Sequence, residues 1–390
     1  MAVEGKGLKA DGWQVRIIAP DLSRPSFAAE PLDWGPGVSF DLLPPEAAGY
    51  AMRVPGLIGD EMYRRAVRFQ PFAFHCHDLS TALIGLRAAS ETGSRWICDF
   101  HEWWSENVTW NLAKSVYEPH DAETAAFYRW AERVCLRRAD AVITVNRSIA
   151  SQLEQMVSAE RKRVTVIRNV PPLNAPPTRA YPPLKAQFAI PAEHFVVLYQ
   201  GGTGPTRLLE PVIEALALAA RVTLVIRGPS LDMFGADYRR IAEAAGVGER
   251  LVLANPVPSC DVVAAARGAD AGLWTLPNLS RNFFYALPNK IFEYLASGLP
   301  LLVANFPEAK GIVDELGVGL AFDPYDSASI AGQMNRLAED ACFLARCREA
   351  VPRALATLDA DAEWQRLAAL YDGLRGVGAT PSASAELVAS

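Results

Sequence analysis

The chain has 390 residues, of which 50% are hydrophobic and 21% are charged, a profile typical of a folded protein with room for two domains. Its formal net charge of −6 argues against a non-specific nucleic-acid binder. We therefore expect no nucleic-acid partner.

Hydrophobicity and cysteine usage indicate the compartment. No apolar run approaches the roughly 20 residues that span a bilayer, and the N-terminus lacks the apolar core of a signal peptide. We expect no transmembrane segment and a cytoplasmic protein, with peripheral membrane contact left open. The six cysteines are scattered, with no C-x-x-C pair and no metal spacing, and we interpret them as reduced and mostly buried.

The first half of the chain alternates short apolar segments with helical ones, which predicts a parallel α/β sheet. The predicted strands lie at 13–19, 38–42, 71–77, 95–99, 138–146 and 164–169. A helical segment that ends near Gly12 precedes them, and no strand is visible before it. The first strand of this domain, normally central in the sheet, is therefore either absent or upstream of the given start.

Polar side chains follow two of these strands, at the end where parallel sheets bind ligands. His77 and Asp78 close one strand, and His101 and Glu102 follow the next. The aromatic pair after them could stack against a sugar or an apolar acceptor, or equally well pack under a long loop. The resulting candidates for acceptor contact are His77, Asp78, Glu102, Trp103 and Trp104, with Glu106 a weaker one.

Metal binding by the histidines of this region is the alternative. His75 and His77 alternate on one strand and so share a face, and His101 could join them. A histidine inside a strand is more often a satisfied core residue, however. We therefore predict no metal site.

A stiff segment divides the chain. Residues 170–186 contain six prolines, typical of an extended linker. We predict an N-terminal domain over 1–172 and a second domain over 187–356. A late helix, about 357–375, follows, and the Gly-, Ala-, Ser- and Pro-rich residues 376–390 are predicted to be a disordered tail.

The second domain opens with a strand, a glycine-rich turn and a helix. Strand 195–200 leads into G-G-T-G-P-T-R at 201–207, where Gly201 and Gly202 let the backbone approach a phosphate. Arg207 adds a planar fork that suits diphosphate oxygens. The turn matches neither a Walker loop nor G-x-G-x-x-G, so alone it is a weak signal.

The stretch 288–300, P-N-K-I-F-E-Y-L-A-S-G-L-P, carries the strongest pattern. Pro288, Asn289, Lys290 and Ile291 begin a helix, whose free N–H groups and positive dipole end could hold a phosphate. Glu293 lies about one turn further on, where its carboxylate can accept hydrogen bonds from sugar hydroxyls. Together they describe a pocket for a nucleotide diphosphate-sugar. Taken alone, the stretch also fits an ordinary helix with a solvated glutamate.

This stretch resembles the donor-site segment of GT-B glycosyltransferases, particularly the retaining enzymes of glycosyltransferase family 4. The strand pattern R-A-D-A-V-I-T-V-N at 138–146 resembles the end of their N-terminal domain. The resemblance implies two Rossmann-like domains facing across a cleft. The acceptor would bind to the first domain, the nucleotide-sugar to the second, and the helix at about 357–375 would pack back on the first.

The resemblance also implies the site residues. Glu293 matches the second of two motif glutamates and would bind the ribose, whereas the first falls on Tyr285, which is a departure. His101 would lie near the transferred sugar and Arg207 on the donor diphosphate, both as catalytic residues. The family's other basic residue falls near Gly202, so that either Lys290 or Arg227 would supply the second charge.

The function that the resemblance implies is metal-independent, retaining transfer of a sugar from a UDP- or GDP-sugar to a small-molecule or saccharide acceptor, with no cofactor beyond that co-substrate. Two alternatives remain. A nucleotide-sugar 2-epimerase should place acidic groups around the reacting carbon, which Tyr285 disfavours. A non-catalytic GT-B partner of another transferase would fit the missing strand and the missing glutamate.

Overall fold

The protein is described here from a computed structural model, which defines residues 7–8, 11–20, 36–43, 57–111, 114, 116–157, 163–171, 173–174, 176–376 and 384–388. The chain divides into two compact units. Unit 1 comprises Met1–Thr109, Pro119–Asn169 and Asp361–Ser390, and unit 2 comprises Trp110–Glu118 and Val170–Ala360.

The described strands alternate with helices along most of the chain. The strands are β1 Gln14–Pro20, β2 Val38–Leu43, β3 Ala73–His77, β4 Arg95–Phe100, β5 Val108–Asn111, β6 Val116–Pro119, β7 Ala141–Thr144, β8 Thr165–Val166, β9 Phe195–Gln200, β10 Val222–Arg227, β11 Leu251–Ala254, β12 Ala271–Trp274, β13 Leu301–Ala304, β14 Gly319–Phe322 and β15 Ser384–Val388.

The α-helices are α1 Leu57–Val67, α2 Asp78–Thr92, α3 Ala122–Arg138, α4 Arg147–Gln155, α5 Leu184–Gln187, α6 Glu210–Ala215, α7 Leu231–Ala244, α8 Val262–Ala266, α9 Arg281–Phe284, α10 Asn289–Ala296, α11 Pro307–Leu316, α12 Ser327–Glu339, α13 Ala341–Thr357 and α14 Ala360–Arg375. One-turn 3₁₀ helices lie at Trp104–Glu106, Pro205–Arg207, Leu216–Leu218, Gly248–Arg250 and Ser259–Asp261. None of the helices in the described ranges has the length and apolarity that a membrane span requires.

Unit 1 is built on a seven-stranded parallel sheet in the order β2-β1-β15-β3-β4-β7-β8. The strand between β1 and β3 comes from the far end of the chain. Val15 pairs with Ala385 on one side of it, and Cys76 pairs with Val388 on the other. β15 therefore occupies the central position between β1 and β3.

The prediction of a disordered tail over 376–390 is wrong for Ser384–Val388. The composition of that tail is poor in large apolar residues, which is why it looked disordered. The sheet offers it two open strand edges, however, and backbone pairing on both sides stabilises a strand whatever its side chains are. The remainder of the tail, 377–383 and 389–390, lies outside the described residues.

Helix α14 belongs to unit 1 and packs against the same sheet. Tyr371 and Leu367 lie in its core, where the rings of Trp13 and Tyr371 meet edge to face, 5.2 Å apart. Buried Glu363 accepts from the backbone N–H of Arg168 (3.0 Å) and from its guanidinium (3.1 Å). These contacts hold the helix beside the end of β8.

Unit 2 has a six-stranded parallel sheet in the order β11-β10-β9-β12-β13-β14. This is the order of a Rossmann-like domain, with strand order reversing next to its first strand, β9. Every residue of β9 and β10 is buried, as expected for strands covered by helices on both faces. The switch point lies between β9 and β12, so ligands are expected just beyond the carboxyl end of β9.

The proline-rich segment is fastened to unit 2. The Asp261 carboxylate accepts from the backbone N–H of Thr178 (2.6 Å), from its hydroxyl (2.5 Å) and from the Tyr181 hydroxyl (2.6 Å). Asp261 ends the short turn before α8. These bonds hold the pKa of Asp261 near 2 against the opposing effect of burial.

Candidate functional site

A glycine turn at the end of β9 forms one side of the candidate site. Gly201 has φ +136°, and a Cβ there would lie 2.4 Å from Lys290 Cε and 2.5 Å from Lys290 Nζ. A Cβ on Gly228 would lie 1.8 Å from the Gly201 carbonyl oxygen. Positions 201 and 228 therefore both require glycine. The ammonium group of Lys290 lies where a side chain at position 201 would be.

Lys290 lies in the first turn of α10 and is half-buried. Its Nζ lies 5.6 Å from the centroid of the Tyr199 ring. Burial and the nearby Arg207 charge lower the pKa of Lys290 to about 8, although Glu293 opposes them. The ammonium is thus held in a place where its charge is poorly solvated.

Arg207 lies at the end of the glycine turn. Its Nη1 donates to the Thr206 carbonyl (3.2 Å), and its Nε lies 3.5 Å from the position of a Cβ on Gly202. Within the described residues, neither Arg207 nor Lys290 forms an ion pair with a carboxylate. Two neighbouring cations with no anionic partner of their own indicate a site for a bound anion.

The start of α10 completes this site. The helix begins at Asn289, and its N-cap residue, Pro288, gives no side-chain cap to the first N–H groups. The Ile291 N–H donates to the Pro288 carbonyl (3.2 Å), and its side chain is buried in the core. Residues 289–291 were predicted to offer three N–H groups to an anion. Those of Asn289 and Lys290 remain available for it.

Glu293 is half-buried one turn further along α10. Burial raises the pKa of its carboxyl, and the Lys290 charge partly offsets this. Tyr285, at the position of the missing first glutamate, follows α9, and its ring lies 5.3 Å from that of Phe284. This position therefore offers a tyrosine ring in place of the carboxylate that the family motif has there.

Lys290 and Arg227 were the two predicted sources of a second positive charge for the diphosphate, and the structure excludes Arg227. Arg227 is only 2% exposed, and its guanidinium donates to Gln200 Oε1 (3.2 Å) and to the Ala265 carbonyl (2.8 Å). It holds β9, β10 and α8 together. Lys290 is the residue that lies beside the glycine turn with Arg207.

In unit 1, the predicted strand-end residues lie close together. Asp78 has φ +59°, an uncommon conformation for a residue other than glycine, and its Oδ1 accepts from the backbone N–H of His101 (2.9 Å) and from Trp104 Nε1 (3.2 Å). Burial raises the pKa of Asp78, and the neighbouring His101 opposes this. Asp78 thus fixes the loop that carries His101.

The remaining predicted acceptor residues differ in the solvent exposure of their side chains. Glu102 is exposed, and Trp104 and His101 are half-buried. Trp103 is only 3% exposed, so of its two expected roles the structure shows packing in the interior. His77 is buried beside Asp99 and His101.

Sequence reasoning missed two buried carboxylates here. Asp99 is the second-to-last residue of β4, and its Oδ2 lies 3.4 Å from His101 Nε2. Its two-residue spacing from His101 is the signal that could have found it. Glu132 lies in the middle of α3 and accepts from the backbone N–H of Ser105 (2.8 Å), where the pattern indicated only a helix face.

The titration of Glu132 gives a measurable prediction. Burial raises its pKa to about 7, although the bond from Ser105 opposes this. The folded state therefore binds a proton that the unfolded state, with a pKa of about 4.3, has released. We expect the free energy of unfolding to fall by about 4 kcal/mol as the pH rises from about 4.3 through about 7, and to change little above about pH 8.

Urea unfolding of Glu132→Gln at several pH values checks this. The neutral amide still accepts from Ser105, so the variant should lose this pH dependence and exceed the wild type in stability at pH 8. Glu123→Gln, an exposed position on the same helix, should behave like the wild type. Equal pH profiles for Glu132→Gln and the wild type would contradict the assignment.

Comparison with known proteins identifies the chain. A family model described as "Glycosyl transferase 4-like domain" matches residues 4–170, and one described as "Glycosyl transferases group 1" matches residues 182–354. The chain belongs to the group 1 glycosyltransferases. Curated protein sequences give no match to this glycosyltransferase.

Solved GT-B glycosyltransferases have the same fold as this enzyme. Sucrose-phosphate synthase from Thermosynechococcus elongatus matches with 17% identity and a TM-score of 0.70, covering 96% of this chain and 92% of its own. HepE of Anabaena, in complex with UDP and glucose, matches with 16% identity and a TM-score of 0.66, covering 92% and 100%. A glycosyltransferase from Rickettsia africae matches with 12% identity and a TM-score of 0.68, covering 96% and 94%.

Proposed function

We propose that this glycosyltransferase moves a sugar, with retention of configuration, from a UDP- or GDP-sugar to a small-molecule or saccharide acceptor. The observation that carries the proposal is the pair of cations, Arg207 and Lys290, beside Gly201 with no carboxylate partner among the described residues. A diphosphate supplies the anion that this arrangement lacks. HepE, a solved structure of the same fold, is described in complex with UDP-glucose, which supports a UDP-sugar in particular.

Each donor residue then has a distinct role. Arg207 and Lys290 bind the diphosphate oxygens, together with the N–H groups at the start of α10. Gly201 and Gly202 let the backbone come close to the phosphates. Glu293 accepts hydrogen bonds from the ribose hydroxyls. Burial raises the pKa of its carboxyl, and hydrogen bonds from the ribose would favour the ionised form.

The reaction needs mainly charge stabilisation. The bond between the anomeric carbon and the diphosphate oxygen breaks, and its electron pair goes to the diphosphate. The acceptor oxygen forms its bond on the same face of the sugar, and a leaving phosphate oxygen takes its proton, so that neither a protein base nor a donor-bound metal is needed. Arg207 and Lys290 face the charge that develops on the leaving group.

The acceptor would contact unit 1. His101 remains the predicted contact of the transferred sugar, held by its backbone bond to Asp78. The exposed Glu102 and half-buried Trp104 are the proposed acceptor contacts. Trp103, His77 and Asp78 support these residues instead of touching the acceptor directly.

Product analysis separates transfer from the two alternatives. The purified enzyme is supplied with each nucleotide-sugar and a panel of glycosides and polyols, and NMR reports the anomeric configuration of any product. An α-configured donor should give an α-linked product. A 2-epimer of the donor would indicate an epimerase, a β-linked product would contradict retention, and binding without turnover would favour a non-catalytic partner.

Lys290 makes donor binding dependent on pH. Its pKa of about 8 should rise when a diphosphate binds, so binding near pH 8.5 takes up a proton. We expect the affinity for the nucleoside diphosphate to fall by up to about tenfold per pH unit between about pH 8 and about pH 10, and to change little below about pH 7.

Calorimetric titration in two buffers of different ionisation enthalpy measures this proton uptake. Lys290→Arg keeps the charge at every pH, so its affinity should not fall over the same range. The exposed Lys310→Arg is the matched control and should titrate like the wild type. If Lys290→Arg and the wild type showed the same pH profile, another group would be responsible.

A further inference from the structure

Four potential metal ligands come together on one face of the unit 1 sheet. His75 and His77 alternate on β3, and Asp99 and His101 have the same two-residue spacing at the end of β4. The two strands are parallel, with His77 paired opposite Asp99. Because alternate residues of a strand share a face, all four side chains project from the same face, near the carboxyl ends of the strands.

The distances bring three imidazole nitrogens around a single carboxylate oxygen. Asp99 Oδ2 lies 3.2 Å from His75 Nε2, 3.7 Å from His77 Nδ1 and 3.4 Å from His101 Nε2. His77 Nδ1 and His101 Nε2 are themselves 3.2 Å apart. In a tetrahedral zinc site, bonds of about 2.0–2.1 Å put neighbouring ligand atoms about 3.3 Å apart. These four spacings are close to that value. The ligand atoms of His75, His77 and Asp99 all lie within 4.8 Å of one another, and His101 contacts two of those three residues.

The cluster is nearly buried, and its ligand types favour some metal ions over others. His75 is 0% exposed, His77 3% and Asp99 2%, and only His101 is half-buried. Imidazole nitrogens suit zinc, copper and nickel, whereas magnesium and calcium prefer sites made of oxygen ligands. Three neutral imidazoles and one carboxylate would leave a bound divalent ion with a single net positive charge, and four protein ligands would close the site.

A supporting contact orients one ligand. His75 Nδ1 lies 3.0 Å from the hydroxyl of Tyr371, which belongs to α14. A proton on Nδ1, shared with that hydroxyl, leaves the lone pair of Nε2 directed toward Asp99 Oδ2. Histidines that bind metals are commonly held in this way through their other ring nitrogen.

We propose that His75, His77, Asp99 and His101 form a binding site for a divalent transition metal ion, with Zn²⁺ as its best-matched occupant. All four ligands belong to unit 1, whereas the proposed donor residues belong to unit 2, so the metal site does not rest on the proposed function. The ion would tie β3 to β4 and, through Tyr371, to α14. Because a metal-bound His101 Nε2 cannot also contact a sugar hydroxyl, Zn²⁺ should inhibit transfer instead of assisting it.

Metal titration of the full chain tests the proposal. The protein is stripped with a chelator and titrated with Zn²⁺ by calorimetry and with Co²⁺ by visible absorption. We expect one ion per chain, with the intense visible bands of tetrahedral Co²⁺. His77→Ala should weaken Zn²⁺ binding by at least about 100-fold, and Tyr371→Phe, which removes only a supporting contact, by about tenfold.

Controls make each outcome decisive. His194→Ala removes a histidine of unit 2 and should bind Zn²⁺ like the wild type. Asp99→Asn is a second ligand variant, and thermal unfolding in chelator shows whether each variant is folded. Zn²⁺ should raise the Tm of the wild type but not that of folded His77→Ala or Asp99→Asn.

Three results would overturn the proposal. One is the absence of stoichiometric binding to the wild type, which would leave these groups as a hydrogen-bonded cluster only. Another is unchanged affinity in both ligand variants. The third is a thiolate-to-cobalt charge-transfer band, which would assign the ion to cysteines.

Discussion

Replacing Arg207 with alanine is expected to lower kcat/KM for the nucleotide-sugar by about 10²- to 10³-fold. The guanidinium faces the diphosphate on which charge develops, and removal of one such preorganised donor costs about that much in other enzymes. Steady-state kinetics with the preferred donor provides the measurement. Arg207→Lys should recover only part of the loss, because an ammonium cannot form the two parallel bonds of a guanidinium.

Arg240→Ala is the matched control for that variant. Arg240 is exposed on α7 and pairs with Asp237 in the same helix, so its loss should leave kcat/KM unchanged. A kcat/KM for Arg207→Ala within about threefold of the wild type would contradict the assigned role.

Interrupting β15 is expected to destabilise unit 1 by about 5 kcal/mol or more. The strand pairs with β1 over Ser384–Val388 and with β3 over Ala385–Val388, so its loss leaves two facing edges of the sheet unpaired. We would substitute Glu386→Pro, because proline cannot donate to the ladder and is excluded from interior strands. Hydrogen exchange followed by mass spectrometry should show lost protection in β1 and β3.

Removal of only Ala389 and Ser390 is the control for that substitution, since both lie beyond the strand. It should keep the exchange protection of β1 and β3. Equal protection in Glu386→Pro and the wild type would show that β15 does not stabilise the sheet.

Local patterns explain why the sequence points to residues that lie together at the proposed donor site. The helix start at Pro288, the glycine turn at Gly201 and the fork of Arg207 are each encoded in a few consecutive residues. Their proposed chemistry follows from residue type and spacing, and in the structure Lys290 lies against Gly201. The burial of Arg227 was not predictable, because its partner at Ala265 is distant in sequence.

The errors concern contacts between distant segments. The tail around Glu386 has little intrinsic strand pattern, and only the gap between β1 and β3 makes it a strand. For Trp103 the sequence left ligand stacking and interior packing equally open, and only the folded loop decides for the interior. Asp99 was predicted only as the last residue of a strand. Its contacts with three histidines could not be predicted, because they form only when β3 and β4 pair.

Calorimetric titration of the wild type with UDP, GDP, ADP and dTDP tests the central claim most directly, namely that residues 201–207 and 288–293 bind a nucleoside diphosphate. We predict one-to-one binding, strongest for UDP or GDP, that weakens at least about tenfold in both Arg207→Ala and Glu293→Gln. If none of the four nucleotides bound, or if both variants bound as tightly as the wild type, the donor site would not lie at these residues.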